Sequence, residues 1–272
     1  MKNFNGKVVV VTGAGSGMGR SYATMFGRLG SKLALCDYDD KGLQETAALV
    51  QSQTGKAPLA VKVDVSDKAA VYAFAQQVKD TLGNAHVIIN NAGVSGDGGP
   101  VWDKTDATYE RVMAINFWGV VYGTRAFLGQ LMDNREGAIV NVSSIFGLVG
   151  TPNNSDYCAS KFAVRGFTES LAVELSSSNI QVHLVHPGGI NTNIASKAEH
   201  KKFAEKFLTT PPDEIVEVVR QCIEKNEPRI VYGNNAARVW FAARYLPFKW
   251  FKSILWKQMG PTLDPRPYDR LR

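Results

Sequence analysis

Cysteine is scarce in this chain of 272 residues: three only, Cys36, Cys158 and Cys222, widely separated and in no CxxC or Cys/His cluster. That spacing excludes the common zinc sites and a disulfide-stapled scaffold, so no metal is expected. The odd count and the absence of a leader-like start point to a reducing compartment, and the expected location is cytoplasmic. No run of 18 apolar residues occurs, so nothing is read as spanning a membrane. No repeat, linker or low-complexity tract interrupts the chain before residue 232, and a strict G-x-G-x-x-G is missing too. Hydrophobic residues make up 44% and charged residues 21%, the balance of a globular chain large enough to bury a full core. The net charge of +6 is uneven, because Arg229 to Arg272 holds nine Lys or Arg against Asp264 and Asp269. The rest is near neutral, so the basic balance is a local feature and no nucleic-acid partner is expected.

What is present is alternation. Short β-branched runs at Val8–Val11, Leu33–Cys36, Leu59–Val63, Val87–Ile89, Ala138–Val142, Val182–Val185 and Ile230–Tyr232 read as strands buried on both faces. Helical patterns lie between them, near 17–29, 40–53, 67–82, 106–133, 156–177 and 212–225. This order predicts one α/β domain over 1–232, a doubly wound parallel sheet of about seven strands with helices on both faces. Residues 233–272 then form a basic, aromatic extension.

The first strand runs into "TGAGSGMG", residues 12–19. Gly13, Gly17 and Gly19 permit positive φ and close approach of a ligand, and the helix that follows turns its N–H groups toward phosphate. Asp37 ends the second strand, where a carboxylate accepts hydrogen bonds from ribose hydroxyls and repels a 2′-phosphate. NAD is therefore favoured over NADP, with Lys32 and Lys41 near enough in sequence to keep NADP as the minority reading.

"NNAG" (90–93), Asn116, "NVSS" (141–144), "YCASK" (157–161) and "HPGGINT" (186–192) follow in order. Together with the glycine turn they resemble the short-chain dehydrogenase/reductase family, over roughly residues 5 to 232. Tyr157 and Lys161 stand at i and i+4 and share a helix face. A neighbouring ammonium is expected to lower the phenol's pKa toward neutrality. The resemblance implies a Rossmann-like fold and a catalytic set of Asn116, Ser144, Tyr157 and Lys161, with Tyr157 as acid/base, Ser144 on the substrate oxygen and Asn116 at a helix break. Ser143 is read as a backbone-side partner. The resemblance also implies a cofactor site of Gly13, Ser16, Gly17, Met18, Gly19, Asp37, Asp64, Val65, Asn91, Ala92, Gly93, Tyr157, Lys161, Pro187, Gly188, Ile190 and Thr192. Asn90 either contacts the cofactor or holds the central sheet. His183 and His186 are read as structural, and His86 and His200 show no partner in the sequence.

The expected activity is NAD-dependent interconversion of a secondary alcohol and a carbonyl on a hydrophobic, lipid-like substrate. A non-catalytic NAD-binding sensor or scaffold, and an isomerisation or dehydration with tightly held NAD, are the alternatives. Residues 193–210 are where the family carries a substrate lid; here Ile194, Phe203, Phe207 and Leu208 mix with Lys197, Lys201, Lys202 and Lys206, which reads as a lid or a solvated helix face. Phe146, Val94 and Val149 are placed near Ser144. The long helices resemble those through which the family forms dimers and tetramers. In the extension, Pro247 divides a helix near 235–246 from one at 248–259. On the second, Phe248, Phe251, Leu255 and Met259 fall together with Trp250 and Ile254 beside them, and Lys249, Lys252 and Lys257 fall opposite. That stripe either packs on the protein or a neighbouring subunit, or makes peripheral membrane contact.

Overall fold

The computed structural model describes residues 1–192, 194 and 201–271. Seven strands form one sheet: β1 Val8–Thr12, β2 Lys32–Asp37, β3 Leu59–Lys62, β4 Val87–Asn90, β5 Gly137–Val142, β6 Ile180–Pro187 and β7 Arg229–Tyr232. Their order is β3-β2-β1-β4-β5-β6-β7 and every pairing is parallel. The helices are α1 Gly17–Arg28, α2 Asp40–Thr54, α3 Lys68–Leu82, α4 Asp106–Met113, α5 Gly119–Asn134, α6 Ser155–Glu174, α7 Lys201–Phe207, α8 Pro212–Lys225, α9 Ala236–Tyr245 and α10 Phe248–Met259.

Side chains on a strand alternate between faces, and β1 shows what that does here. Val9 and Val11 join one core with Tyr22, Phe26, Leu43 and Ile215, beneath α1, α2 and α8. Val8 and Val10 join the other with Phe74, Phe127, Leu131 and Leu171, beneath α3, α5 and α6. Both faces are covered, so the central strands need no polar side. The edges differ from expectation. β3 is only half-buried, with Lys62 exposed, because it has one strand neighbour; expecting Leu59–Val63 to be buried on both faces overstated its cover.

The strand order reverses between β1 and β4, and an open parallel sheet has its natural crevice at that point, beyond the carboxyl ends of the strands. The glycine turn after β1, Asp37 at the end of β2, Asn91–Gly93 after β4, Ser144 after β5 and Gly188–Thr192 after β6 all project from this edge. The helical stretch expected over 106–133, with a break at Asn116, is α4 and α5 joined by a π turn at Ala114–Trp118. Asn116 stands inside that turn.

Candidate active site

The glycine turn is shaped by contacts that no side chain would allow. A Cβ on Gly19 would lie 1.8 Å from the Gly13 carbonyl oxygen, and one on Gly13, whose φ is +68°, would strike Ala92 Cα at 2.7 Å. Asn91 fixes the turn from the neighbouring strand: its side chain donates to the Thr12 and Gly13 carbonyls at 3.0 and 3.2 Å. The Thr12 hydroxyl accepts from the Asn91 and Ala92 amides. Across the groove, Thr192 lies close to Gly17, where an added Cβ would meet its methyl at 3.0 Å. Gly17 thus faces Thr192 across the turn, Met18 packs into the core beside it, and a cleft of about 350 Å³ opens beside Gly15, Ser16 and Gly17, toward Arg20, Asp39 and Lys41.

Asp37 points at this turn. One carboxylate oxygen accepts from the Gly15 amide at 2.7 Å and the other from Asp39 N at 2.8 Å. Arg20 is already engaged, donating to the Gly15 carbonyl at 2.6 Å, to Thr46, and to Glu45. Asp64 accepts from the amide and hydroxyl of Ser66 and closes the turn after β3. Val65 is buried against α5 at Gly119. Asn90 belongs to the sheet: its amide donates to Asn141 and Thr124, and Asn141 donates to Thr168, tying β4 and β5 to α5 and α6. The glycine cradle, with a carboxylate at the second strand and a facing threonine, fits a dinucleotide.

The four catalytic candidates converge at the other end of the crevice. Asn116 is fully buried and grips Val94 twice, accepting from its amide at 2.8 Å and donating to its carbonyl at 2.9 Å; it also donates to Ser160. The π turn makes this reach available, since it releases Asn116 from the regular helical register. Lys161 donates to the Val142 carbonyl at 3.0 Å and sits 5.6 Å from the centroid of the Tyr157 ring. A Cβ on Gly93 would come within 3.4 Å of the Lys161 ammonium and 3.2 Å of Asn116 Oδ1, so Gly93 sits directly beside both groups. Ser143 donates to the Lys161 carbonyl at 2.8 Å and is backbone-side, as expected.

The electrostatics correct one expectation. Burial pushes the Tyr157 phenol up to about 12, while its hydrogen bond with Ser144 offsets part of the rise and Cys158 adds to it. Lys161 does not pull it toward neutrality here. Burial instead brings Lys161 itself down to about 8. His186 Nδ1 bonds the Ser144 carbonyl at 2.8 Å and His183 Nδ1 the Glu227 carbonyl at 2.7 Å. Burial lowers both imidazoles to about 4, so they are neutral struts at pH 7, and His186 anchors the backbone that carries Ser144.

Two supports were missed by sequence reasoning. Lys104 and Asp156 form an ion pair at 2.9 Å, with side chains 1% and 0% exposed. The Tyr109 hydroxyl lies 2.6 Å from Ser155 Oγ. Both bind the first turn of α6, just before Tyr157, to the segment that follows β4, and Asp156 also accepts from the Tyr157 amide at 2.8 Å. Gly96 is needed for the fit, since a Cβ there would overlap the Asp156 carboxylate at 1.9 Å. The only sequence signal was an acid beside the candidate tyrosine, and Lys104 lies too far along the chain to be paired with it. Removing one member of a buried pair strands the other charge, so Lys104→Ala is expected to cost about 3–5 kcal/mol of stability, read from urea unfolding.

Next to Tyr157 the walls are apolar. Phe146 meets the Tyr157 ring edge-on at 6.2 Å and Phe203 at 6.3 Å. Leu148, Val149, Phe251, Leu255 and Met259 form a third cluster, with Phe146, Phe203, Phe207, Val239 and Trp240 packed on it. Phe203 and Phe207 of α7 thus pack on this cluster, while Lys202 is exposed; of the residues expected in the lid, Lys197 lies outside the described residues, as does the side chain of Lys201, and so does His200.

Known proteins are similar to this chain in sequence and fold. The short chain dehydrogenase family model matches residues 7–202. The chain is 39% identical over 259 residues to putative oxidoreductase SadH of Mycobacterium tuberculosis, covering 90% of this chain and 93% of that one. It is 39% identical over 196 residues to human epidermal retinol dehydrogenase 2, covering 71% of this chain and 63% of that one. Among solved structures, a short chain dehydrogenase/reductase from Burkholderia phymatum in complex with NAD superposes with a TM-score of 0.80 at 30% identity, over 85% of this chain and 90% of that one. With the glycine cradle and the Ser–Tyr–Lys set at one crevice, the chain belongs to the short-chain dehydrogenase/reductase family of NAD(P)-dependent oxidoreductases.

Proposed function

We propose that this enzyme interconverts a secondary alcohol and a carbonyl on a hydrophobic, lipid-like substrate, with NAD as the hydride carrier. The observation that carries the reading is that the Tyr157 hydroxyl, hydrogen-bonded with Ser144, belongs to a ring that meets Phe146 edge-on, and that Phe146 packs on the apolar cluster of Leu148, Val149, Phe251, Leu255 and Met259. Ser144 orients the substrate oxygen and Tyr157 exchanges its proton. Lys161 holds the nicotinamide ribose, and Asn116 fixes the backbone beside it. Similarity to a retinol dehydrogenase supports an apolar substrate.

The bound nicotinamide would supply or accept the hydride. The chain's own part is to hold it: Gly13, Ser16, Gly17, Met18 and Gly19 on the diphosphate, Asp37 on the adenosine ribose, and Asp64 and Val65 at the adenine. Asn91, Ala92 and Gly93 line the middle, and Pro187, Gly188, Ile190 and Thr192 stand at the carboxamide. NAD is favoured over NADP because the Asp37 carboxylate would face a 2′-phosphate, while the nearby Arg20 guanidinium is spent on Gly15, Thr46 and Glu45. Asp37→Ala is expected to weaken NAD and improve NADP, shifting the ratio of kcat/KM values by roughly 10-fold or more. Steady-state rates with both cofactors over a panel of hydrophobic alcohols and ketones test this. A parent enzyme that already prefers NADPH would overturn the role of Asp37.

We infer a homodimer or homotetramer in solution. Trp118 on the π turn, Met132 on α5, and Phe162 and Val173 on α6 are exposed apolar residues on the two long helices, and Val173 is 74% exposed. A second copy of the chain would cover them. Light scattering should give a multiple of the 29.7 kDa chain mass; a monomer at micromolar concentration would contradict it. The cytoplasm remains the proposed location.

A further inference from the structure

The segment from Ala236 to Met259 has two faces. Its inner one is buried: Phe251, Leu255 and Met259 of α10, with Val239, Trp240 and Ala242 of α9 beside them, pack on Leu148 and Val149, in the cluster that Phe146 joins to the Tyr157 ring. Lys206 ties α7 to α10 by donating to the Gln258 carbonyl at 3.0 Å. The outer face is unusual for exposed protein. Phe241 is 58% exposed, Tyr245 59%, Phe248 74% and Trp250 63%, with Ile254 also exposed. Phe241 and Tyr245 contact each other at 4.7 Å between centroids. Trp256, also on the exposed side of α10, packs edge-on against Tyr268.

The charges among these rings are of one sign. Arg238, Arg244, Lys249, Lys252 and Lys257 are all exposed, and no Asp or Glu stands between Glu227 and Asp264. On the α10 wheel, at about 100° per residue, Lys257 falls about 20° from Trp250 and opposite Leu255, so Trp250, grouped with the apolar stripe by the sequence pattern, shares the outward side with Lys257. Cations are therefore interleaved with rings on the outward side. Aromatic and basic side chains in this mixture match the boundary of an anionic bilayer, where rings enter the headgroup layer and Lys or Arg meet phosphate. Burial in a subunit contact would leave these cations facing an equally acid-free copy of themselves.

We propose that the outer face of α9 and α10 docks the enzyme onto an anionic lipid surface, which places the apolar cluster that Phe146 joins to Tyr157 next to the bilayer. The purpose of such docking rests on the lipid-like substrate proposed above; its test does not. The full chain is sedimented with vesicles of phosphatidylcholine alone and of phosphatidylcholine with phosphatidylserine, beside two variants, Phe248→Ser with Trp250→Ser and Lys249→Ala with Lys257→Ala. The parent is expected to bind the anionic vesicles and not the neutral ones. Each lysine near the surface contributes on the order of fivefold, so the lysine variant should bind roughly 30-fold more weakly. The aromatic variant should lose a similar factor. Both should keep the parent's melting temperature and its rate on a short, water-soluble substrate, because none of these four residues is buried or lines the site. Failure of the parent to sediment with anionic vesicles overturns the proposal, and so does binding that both variants retain. Loss of oligomer size in the aromatic variant, without vesicle binding by the parent, would assign the face to a subunit contact and also overturn it. An enzyme that docks but turns over no apolar alcohol would leave docking standing and remove the substrate reading.

Discussion

Tyr157→Phe is expected to lower turnover by roughly 10²–10⁴-fold, the usual range for a positioned acid or base. The ring is retained, so the edge-on contact with Phe146 at 6.2 Å and the placement of α6 should survive. Cofactor affinity should change little. The phenol at about 12 is protonated at pH 7 and ready to donate to a carbonyl. Alcohol oxidation needs the phenolate, so its rate should climb as pH rises toward that value, and ketone reduction should not. Stopped-flow kinetics on the variant, with cofactor binding measured by fluorescence, checks both parts. Turnover within a few-fold of the parent would remove Tyr157 from its role.

Lys161→Met separates activity from stability. The ammonium is 3% exposed and its pKa falls from 10.5 to about 8 through burial. Below pH 8 the folded and unfolded chains both carry the proton, and the full burial penalty applies. As pH rises from 8 to 10.5 the unfolded chain holds the proton that the folded one has lost, so stability increases. Replacing the lysine by an apolar side chain should therefore raise stability at pH 7, by at most about 3 kcal/mol from the size of the shift. The unpaired Val142 carbonyl takes back some of this gain. Turnover should fall by at least 10²-fold and cofactor binding should weaken, since the same ammonium is asked to hold the ribose. Urea unfolding at pH 7 and pH 10 and a cofactor titration read the three effects; a variant less stable at pH 7 but fully active would contradict the account.

The parts of this molecule that were legible in the sequence are those encoded locally. Gly13, Gly17 and Gly19 are close in the chain, and the contacts that require them are made within the turn or just across it. Tyr157 and Lys161 are one helical turn apart. The break at Asn116 was implied by the family resemblance, and asparagine is a poor residue for the middle of a helix. The Pro247 division held as well, with α9 ending at Tyr245 and α10 starting at Phe248. What was not legible depends on distant partners. Lys104 and Asp156 are joined only when the segment after β4 folds over α6. Periodicity grouped Phe248, Trp250 and Ile254 with the buried stripe of α10, yet they are exposed. Of α10, Phe251, Leu255 and Met259 enter the buried cluster with Leu148 and Val149, while Phe248, first after Pro247, stays exposed. The rise in the Tyr157 phenol was equally hidden, because desolvation is set by the whole packed surround and not by the residue four positions on.

Hydride transfer under the control of Tyr157 is the central claim, and isotope transfer tests it most directly. The enzyme is incubated with NAD and long-chain secondary alcohols deuterated at the carbinol carbon, and the reduced cofactor is analysed by mass spectrometry. Deuterium on the reduced nicotinamide, formed by the parent and lost in Tyr157→Phe, is the predicted result. Reduced cofactor without deuterium, or equal labelling by the variant, would contradict it.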